Sequence, residues 1–433
     1  MYFDTYLNLL KLKSRTRTRT RTRSRTRTRM STSVRRCGIC RTSGHNRRCC
    51  PTKKHKGNIV FGYTPLVLSI FDFLVTDHSY EQLYALSKVS STFQKAVHFI
   101  TKKTVDFCVD DVETFCNKTI KYIQPFTQLR TLCLSYLHIA RPTGYIHSGF
   151  KHLSSLTELI HLDISYNRKI PSNVLLYFKN NKNLQHLKIS QCYSRINDRS
   201  LSYLKYFPDL RYLNLRGNNR ITDLSFLRHC PKLETLKIDI HHMGDGSFDC
   251  LKFCPNLKSL STYRYNDSTC DIDFKDLSCL HSLERLHLQG ASKISNSDID
   301  CLEHLQSLTY LDLDTCRGIS DLSFLKLCPN LETLAFEQDG LDEGSFESLK
   351  LCPKLKSLSI NCYTDNARDI EFQSLSSLHS LERLCLLGAP IIDDIDVVYL
   401  ARLQSLNYLL FDNCDYIHAD LSILNHISDV CIL

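Results

Sequence analysis

Two consecutive passages of 98 residues, 210–307 and 308–405, are copies of one another and agree at 51 positions when aligned without a gap. LRYLNLRGNNRITDLSFLRHCPKLETL, from Leu210, returns as LTYLDLDTCRGISDLSFLKLCPNLETL from Leu308. Within each copy runs a shorter beat, Leu-x-x-Leu-x-Leu/Ile, every 23 to 26 residues. A unit that short cannot bury its own apolar side, so the period predicts an α/β solenoid of stacked coils. The frames open at Leu129, Leu159, Leu184, Leu210, Leu233, Leu257, Leu283, Leu308, Leu331, Leu355, Leu381 and Leu406, and a degenerate one, Ile427, Val430 and Ile432, follows. Identity extends to exposed-type positions such as Glu284-Arg285 and Glu382-Arg383, which points to copying of a four-coil unit.

In each coil Leu-x-Leu is expected to form a short strand of a parallel sheet, with later apolar residues filling the space beneath. Each fully buried leucine contributes about 1.5–3 kcal/mol, so the array is stable only as a stack. Twelve strands spaced at ~4.8 Å give an inner edge of ~50 Å, long enough to grip a folded domain. Asn or Cys follows the strand at Asn167, Cys192, Asn218, Cys316 and Cys414, where a polar side chain can meet backbone groups of the turn. A run such as Ile221-Thr222-Asp223 comes next, then a helix stopped by Cys-Pro. These features resemble the cysteine-containing leucine-rich repeat over most of residues 64–433, which implies a leucine-rich-repeat solenoid (horseshoe) across 129–433. The residues expected on the concave face are Asn214, Lys237, Ser261, His287, Asp312, Ala335, Ser359, Cys385 and Leu410. They grow less polar toward the C-terminus, and a target protein is expected near His287, Cys385, Leu387 and Leu410; drift after duplication would give the same pattern.

Charge divides the chain. Residues 1–56 hold 18 Lys and Arg against Asp4 alone, +17, which leaves 37 basic and 44 acidic residues, −7, for the remainder. From Ser14 to Arg29, Arg alternates with Thr or Ser, so residues 1–36 are expected to be a disordered basic tail. The tract fits contact with phosphates, a nuclear import signal, or a repeat expansion with no selected role. Cys37, Cys40, His45 and Cys50 then follow as C-x2-C-x4-H-x4-C, with Gly44 before the histidine and Cys49 as an alternate ligand. Three thiolates and an imidazole on so short a loop can close a tetrahedron around zinc, and the metal would supply nearly all of its folding energy. The segment 37–50 resembles the CCHC zinc knuckle, which implies binding of single-stranded nucleic acid or protein; the rival is a chance cluster of cysteines in a basic tail. No aromatic residue for base stacking accompanies it.

A linker, 51–63, leads to TPLVLSIFDFLVTDHSYEQLYALSKVSSTFQKAVHF at 64–99, with apolar residues at helical spacing. Its Ile70, Phe71 and Leu74, then Val89, Ser90 and Phe93, resemble the F-box; Thr64 stands where the family has Leu, and Val67 near its usual Glu. The resemblance implies docking on a Skp-family linker subunit through Pro65, Leu66, Ile70, Phe71, Leu74, Val89 and Phe93, and hence a cullin partner. The alternative is a helical cap for the first coil. In the connector and N-terminal cap, 100–128, Val105, Phe107 and Val109 alternate as in an edge strand.

The chain shows no nucleophile elbow, P-loop, dinucleotide fingerprint or H-E-x-x-H, so a non-catalytic protein is expected. His241 and His242, beside Asp239 and Asp245, become Asp339 and Gly340 in the second copy, which reads as a variable loop. The 21 cysteines, the lack of a secretory leader and the absence of a long apolar run predict reduced thiols, no membrane span, and a cytoplasmic or nuclear protein. A knuckle before an F-box looks like the domain mixing of giant DNA viruses or protists, whose host cell would then be the site of action. The reading that follows is an adaptor of a cullin–RING ubiquitin ligase; its rival is a nucleic-acid scaffold acting through residues 14–50.

Overall fold

The computed structural model describes residues 106–108, 127–135, 150–240, 242–243, 246–263, 274–289, 294–362, 370–388, 391–414, 416–417 and 419–433. In it every Leu-x-Leu frame becomes a strand. In chain order these are β1 (Asp106–Cys108), β2 (Thr131–Cys133), β3 (His161–Asp163), β4 (His186–Lys188), β5 (Tyr212–Asn214), β6 (Thr235–Asp239), β7 (Ser259–Tyr263) and β8 (Arg285–Gln289). Next come β9 (Tyr310–Leu313), β10 (Thr333–Glu337), β11 (Ser357–Asn361), β12 (Arg383–Leu387), β13 (Ile391–Ile392), β14 (Tyr408–Asp412), β15 (Tyr416–Ile417) and β16 (Asp429–Ile432). Fourteen of them form one open parallel sheet in strict chain order, with β1 and β16 at its edges; β13 and β15 pair separately. The alternation at 105–109 is realised as β1, whose Phe107 is in register with Leu132, and the degenerate last frame as β16.

Constant register converts the period into layers. Leu132, Leu162, Leu187, Leu213, Leu236, Leu260, Leu286, Leu311, Leu334, Leu358, Leu384 and Leu409 pair along one row, and all are at most 1% exposed. Two residues on, Ile189, Leu215, Ile238, Leu288, Phe336, Ile360 and Phe411 form a second buried row. Because strand side chains alternate between faces, the residues between these rows point outward.

Asn and Cys hold the turn after each strand, as their positions imply. Asn167 Nδ2 donates to the carbonyls of Leu134 at 2.7 Å and Ile164 at 2.8 Å; Asn218 Nδ2 donates to Ile189 and Leu215, both at 2.7 Å. Cys192 and Cys316 make the weaker thiol version, to Ile164 O at 3.5 Å and Leu288 O at 3.2 Å. A second ladder joins the far side: Cys254 Sγ lies 3.4 Å from Cys230 O, and Cys352 Sγ lies 3.6 Å from Cys328 O. Burial pushes the Cys192, Cys254 and Cys328 thiols up to about 12, so they pack as neutral SH groups. All fourteen described cysteines are unpaired thiols.

The helices expected before Cys-Pro are 3-10 turns instead. They cover Ser225–His229, Ser247–Phe253, Ser323–Leu327 and Ser345–Leu351, each ending at a Cys-Pro step. A 3-10 turn rises ~2.0 Å per residue against ~1.5 Å for an α-helix, so coils of 23 or 24 residues cross the same span with fewer residues. Described α-helical turns, α1 (Asp198–Leu201), α2 (Phe372–Leu375) and α3 (Asp394–Leu400), occur only in coils of 25 or 26 residues.

Candidate protein-binding face

The outward side of the sheet carries rows of side chains set by the same register. The middle row runs Cys133, Asp163, Lys188, Asn214, Lys237, Ser261, His287, Asp312, Ala335, Ser359, Cys385, Leu410 and Cys431, so the residues expected on this face do share it. Two residues earlier lies a row rich in rings and cations. His161 stacks on His186 with centroids 4.2 Å apart, and His186 on Tyr212 at 5.8 Å. Arg285 lies over the Tyr310 ring at 4.0 Å, and Arg383 over Tyr408 at 4.2 Å.

Two depressions mark the face. One, of about 520 Å³, spans β2 to β5 and is lined by His161, Asp163, His186, Lys188 and Tyr212 among others. Burial, then the neighbouring His161, holds the His186 imidazole below its ordinary pKa. The other, of about 220 Å³, spans β6 to β9 and is lined by Lys237, Ser259, Ser261, Tyr263, Arg285, His287 and Tyr310. His287 Nδ1 is bonded to Asp312 Oδ2, which also accepts from the Tyr310 hydroxyl at 3.3 Å. The other ring nitrogen of His287 is buried without a partner. Tyr263 sits 5.0 Å from the His287 ring, and Arg216 lies over its other surroundings at 3.7 Å from the Tyr263 centroid. Beneath, Asp239 accepts from the Gly217 N–H, and burial pushes its carboxyl up to about 6 despite that bond and the nearby Arg216. Lys237 is held below its ordinary pKa by burial, then by the cations Arg216, Lys188 and Arg285.

Of the residues expected to meet a target, His287 lines this second depression. Cys385 and Leu410 are paired neighbours on β12 and β14, and Leu387 is in register with Asn361 and Asp412; all three are half-buried. They form a separate apolar patch four strands from His287, about 19 Å along the sheet. Tyr263, Arg285 and Tyr310 escaped sequence reasoning because it followed only the middle outward row. Strict alternation through the strand exposes the residues two before and two after it as well.

The zinc residues Cys37, Cys40, His45, Cys49 and Cys50 lie outside the described residues, as do Pro65, Leu66, Ile70, Phe71, Leu74, Val89 and Phe93. Among the described residues no group of three or more His, Cys, Asp or Glu is placed to hold a metal, and no helix is long and apolar enough to cross a membrane.

A parallel sheet built one strand per coil, closed over stacked leucine rows and bound by Asn and Cys ladders, is a leucine-rich-repeat solenoid. Comparison with known proteins agrees: the family described as Leucine Rich repeats (2 copies) matches residues 182–229 and 208–245. An internalin (InlF) of Listeria monocytogenes is similar in structure, with a TM-score of 0.54 and 21% identity over 81% of this chain and 93% of that one. A leucine-rich-repeat protein of Leptospira interrogans aligns at a TM-score of 0.45 and 15% identity, over 76% of this chain and 82% of the other. In sequence, a Trypanosoma equiperdum protein that carries the provisional name adenylate cyclase regulatory protein is 27% identical over 206 residues. That match spans 47% of this chain and 30% of the relative's length.

Proposed function

We propose that the protein is a non-catalytic, substrate-recognition adaptor of a cullin–RING ubiquitin ligase. The observation that carries the recognition half is the outward face of the sheet, where two depressions lined by rings and charges lie on a rigid ladder of strands. Solenoids of this class present such faces to protein partners. The ligase half rests on the F-box-like residues Pro65, Leu66, Ile70, Phe71, Leu74, Val89 and Phe93, which would dock the Skp-family linker and through it the cullin. The target would sit on the solenoid with its lysines near a charged conjugating enzyme. Acceleration then comes from proximity, with no acid–base work by this chain.

A second reading is favoured by the charge of residues 1–56, +17 against −7 for the rest. Here Cys37, Cys40, His45 and Cys50 hold zinc, and the tail with this knuckle binds single-stranded nucleic acid. One co-precipitation separates the readings. The full chain should recover Skp-family and cullin subunits from cell extract, and a chain lacking 64–98 should not; recovery of neither by the full chain would eliminate the ligase reading.

A further inference from the structure

We propose that the depression between β6 and β9 is an oxyanion site that takes the acidic side chains of a protein partner, with Lys237 and Arg285 as its cations. The proposal rests on the reading of the outward face as a partner surface, and not on whether segment 64–99 docks a ligase.

The charges around the depression do not cancel. Asp312 is engaged by His287 and Tyr310, and its other oxygen accepts from the Asp314 N–H at 3.0 Å. Asp239 is 4% exposed and turned to Gly217. Asp163 faces Lys188 at 3.9 Å, and Glu284 faces Lys258 at 3.5 Å. Among the described residues Lys237 and Arg285 have no carboxylate partner, although both line the depression. Lys237 is half-buried and crowded by Arg216, Lys188 and Arg285, so a bound anion would relieve repulsion as well as form bonds. The hydroxyl-bearing residues Ser259 and Ser261 lie on the floor, and Tyr263 and Tyr310 stand as walls. Arg285 is already oriented by its stacking on Tyr310, which lowers the cost of fixing its planar donors on a carboxylate.

Size and setting select the ligand. A volume of about 220 Å³ admits one or two carboxylate-bearing side chains and no folded element. Nucleic acid needs an extended basic stripe, since its affinity comes from many neutralised phosphates. This is a local positive spot on a body of charge −7, with Asp163, Asp312 and Asp314 along the same sheet.

The second copy of the block serves as an internal control. The same coil frame there carries Ala335 for Lys237, Asp314 for Arg216, Asn361 for Tyr263 and Cys385 for His287. The site's chemistry therefore belongs to one copy, while the leucine rows beneath are common to both.

The test is zero-length carbodiimide cross-linking of a hexaglutamate peptide to the full chain at low salt, read by peptide mass spectrometry. Cross-links to the basic head fall on separate proteolytic fragments. Lys356, in the second copy and paired with Glu332 at 3.1 Å, serves as the reference lysine. Cross-linking at Lys237 should exceed that at Lys356 at least fivefold, and Arg285→Gln should remove most of the excess with an unchanged urea midpoint. Equal labelling of the two lysines, or indifference to Arg285→Gln, overturns the proposal. So does protection of Lys237 by a single-stranded oligonucleotide when hexaglutamate gives none.

Discussion

Asn218 offers the sharpest test of what holds the coils together, because the duplicated block supplies its natural substitute. Its side chain is 2% exposed and makes three bonds: Nδ2 to Ile189 O and Leu215 O, both 2.7 Å, and Oδ1 from the Cys192 N–H at 3.2 Å. Asn218→Ala strips partners from two buried carbonyls and one buried N–H, at about 1–3 kcal/mol for each group left unsatisfied. The losses are not fully additive, since the turn can relax and admit water, so about 3–5 kcal/mol is expected in total. The second copy has Cys316 at this position, and its thiol reaches Leu288 O at 3.2 Å and, weakly, Asp314 O at 3.8 Å. Asn218→Cys should therefore retain part of the network and lose about half as much. Urea unfolding of the two variants against wild type, followed by far-ultraviolet circular dichroism, measures both. An alanine variant within ~1 kcal/mol of wild type, or a cysteine variant as unstable as the alanine one, would refute the assignment of turn stability to side-chain bonds of this ladder.

Two further outcomes follow from the same coordinates. Gly388 has φ +71°, and a Cβ there would stand 2.1 Å from Cys362 O, whereas Gly246, at φ +72°, has open space around it. Gly388→Ala should cost more than 2–3 kcal/mol and Gly246→Ala only about 1 kcal/mol in the same urea assay, so equal costs would show that the backbone angle alone matters. Burial raises the Asp239 carboxyl from 3.8 to about 6, so the folded chain holds this proton more tightly than the unfolded one. Stability from this group is thus fully present below pH ~4 and lost as pH rises through about 6, by roughly 2–3 kcal/mol at most. Asp239→Asn should flatten that part of the profile of urea midpoint against pH between 4 and 8; an unchanged slope would place the titration elsewhere.

The frame of this fold was legible because stacking a short unit demands little beyond a period. A leucine at fixed spacing lands on the buried side of every strand, so Leu213, Leu236 and Leu260 could be placed with no knowledge of their neighbours. Asn167 and Asn218 were legible for the same reason: a buried amide after a strand has only the carbonyls of its turn to meet. The helical side was read less well. Apolar spacing such as Phe226-Leu227 beside Leu224 fits an α-turn and a 3-10 turn alike, and coil length decides between them. The depression was only partly legible. Lys237 and His287 fall on the expected row, but their surroundings depend on rows contributed by adjacent coils. Arg285 and Tyr310 are 25 residues apart in sequence, and only the register of β8 with β9 brings them together.

That register also changes what the identities between the two copies mean. Exposed residues shared by both, such as Arg285 and Arg383, read as traces of copying when the chain is viewed as a string. In the folded sheet each lies over the tyrosine of the following coil, Tyr310 and Tyr408, so both belong to the lateral contacts that hold coil to coil. The Asp-x-Ser turns agree: Asp223 Oδ1 accepts from the Ser225 N–H and Asp321 Oδ1 from the Ser323 N–H, both at 2.7 Å. Side chains that serve the stack are kept in both copies whether buried or exposed. The replacements of Lys237 by Ala335, Arg216 by Asp314 and Tyr263 by Asn361 fall where no such contact constrains the coil, on the outward face around one depression. Divergence there leaves the solenoid intact and alters only what can bind, so the first copy is where a charged partner would be selected.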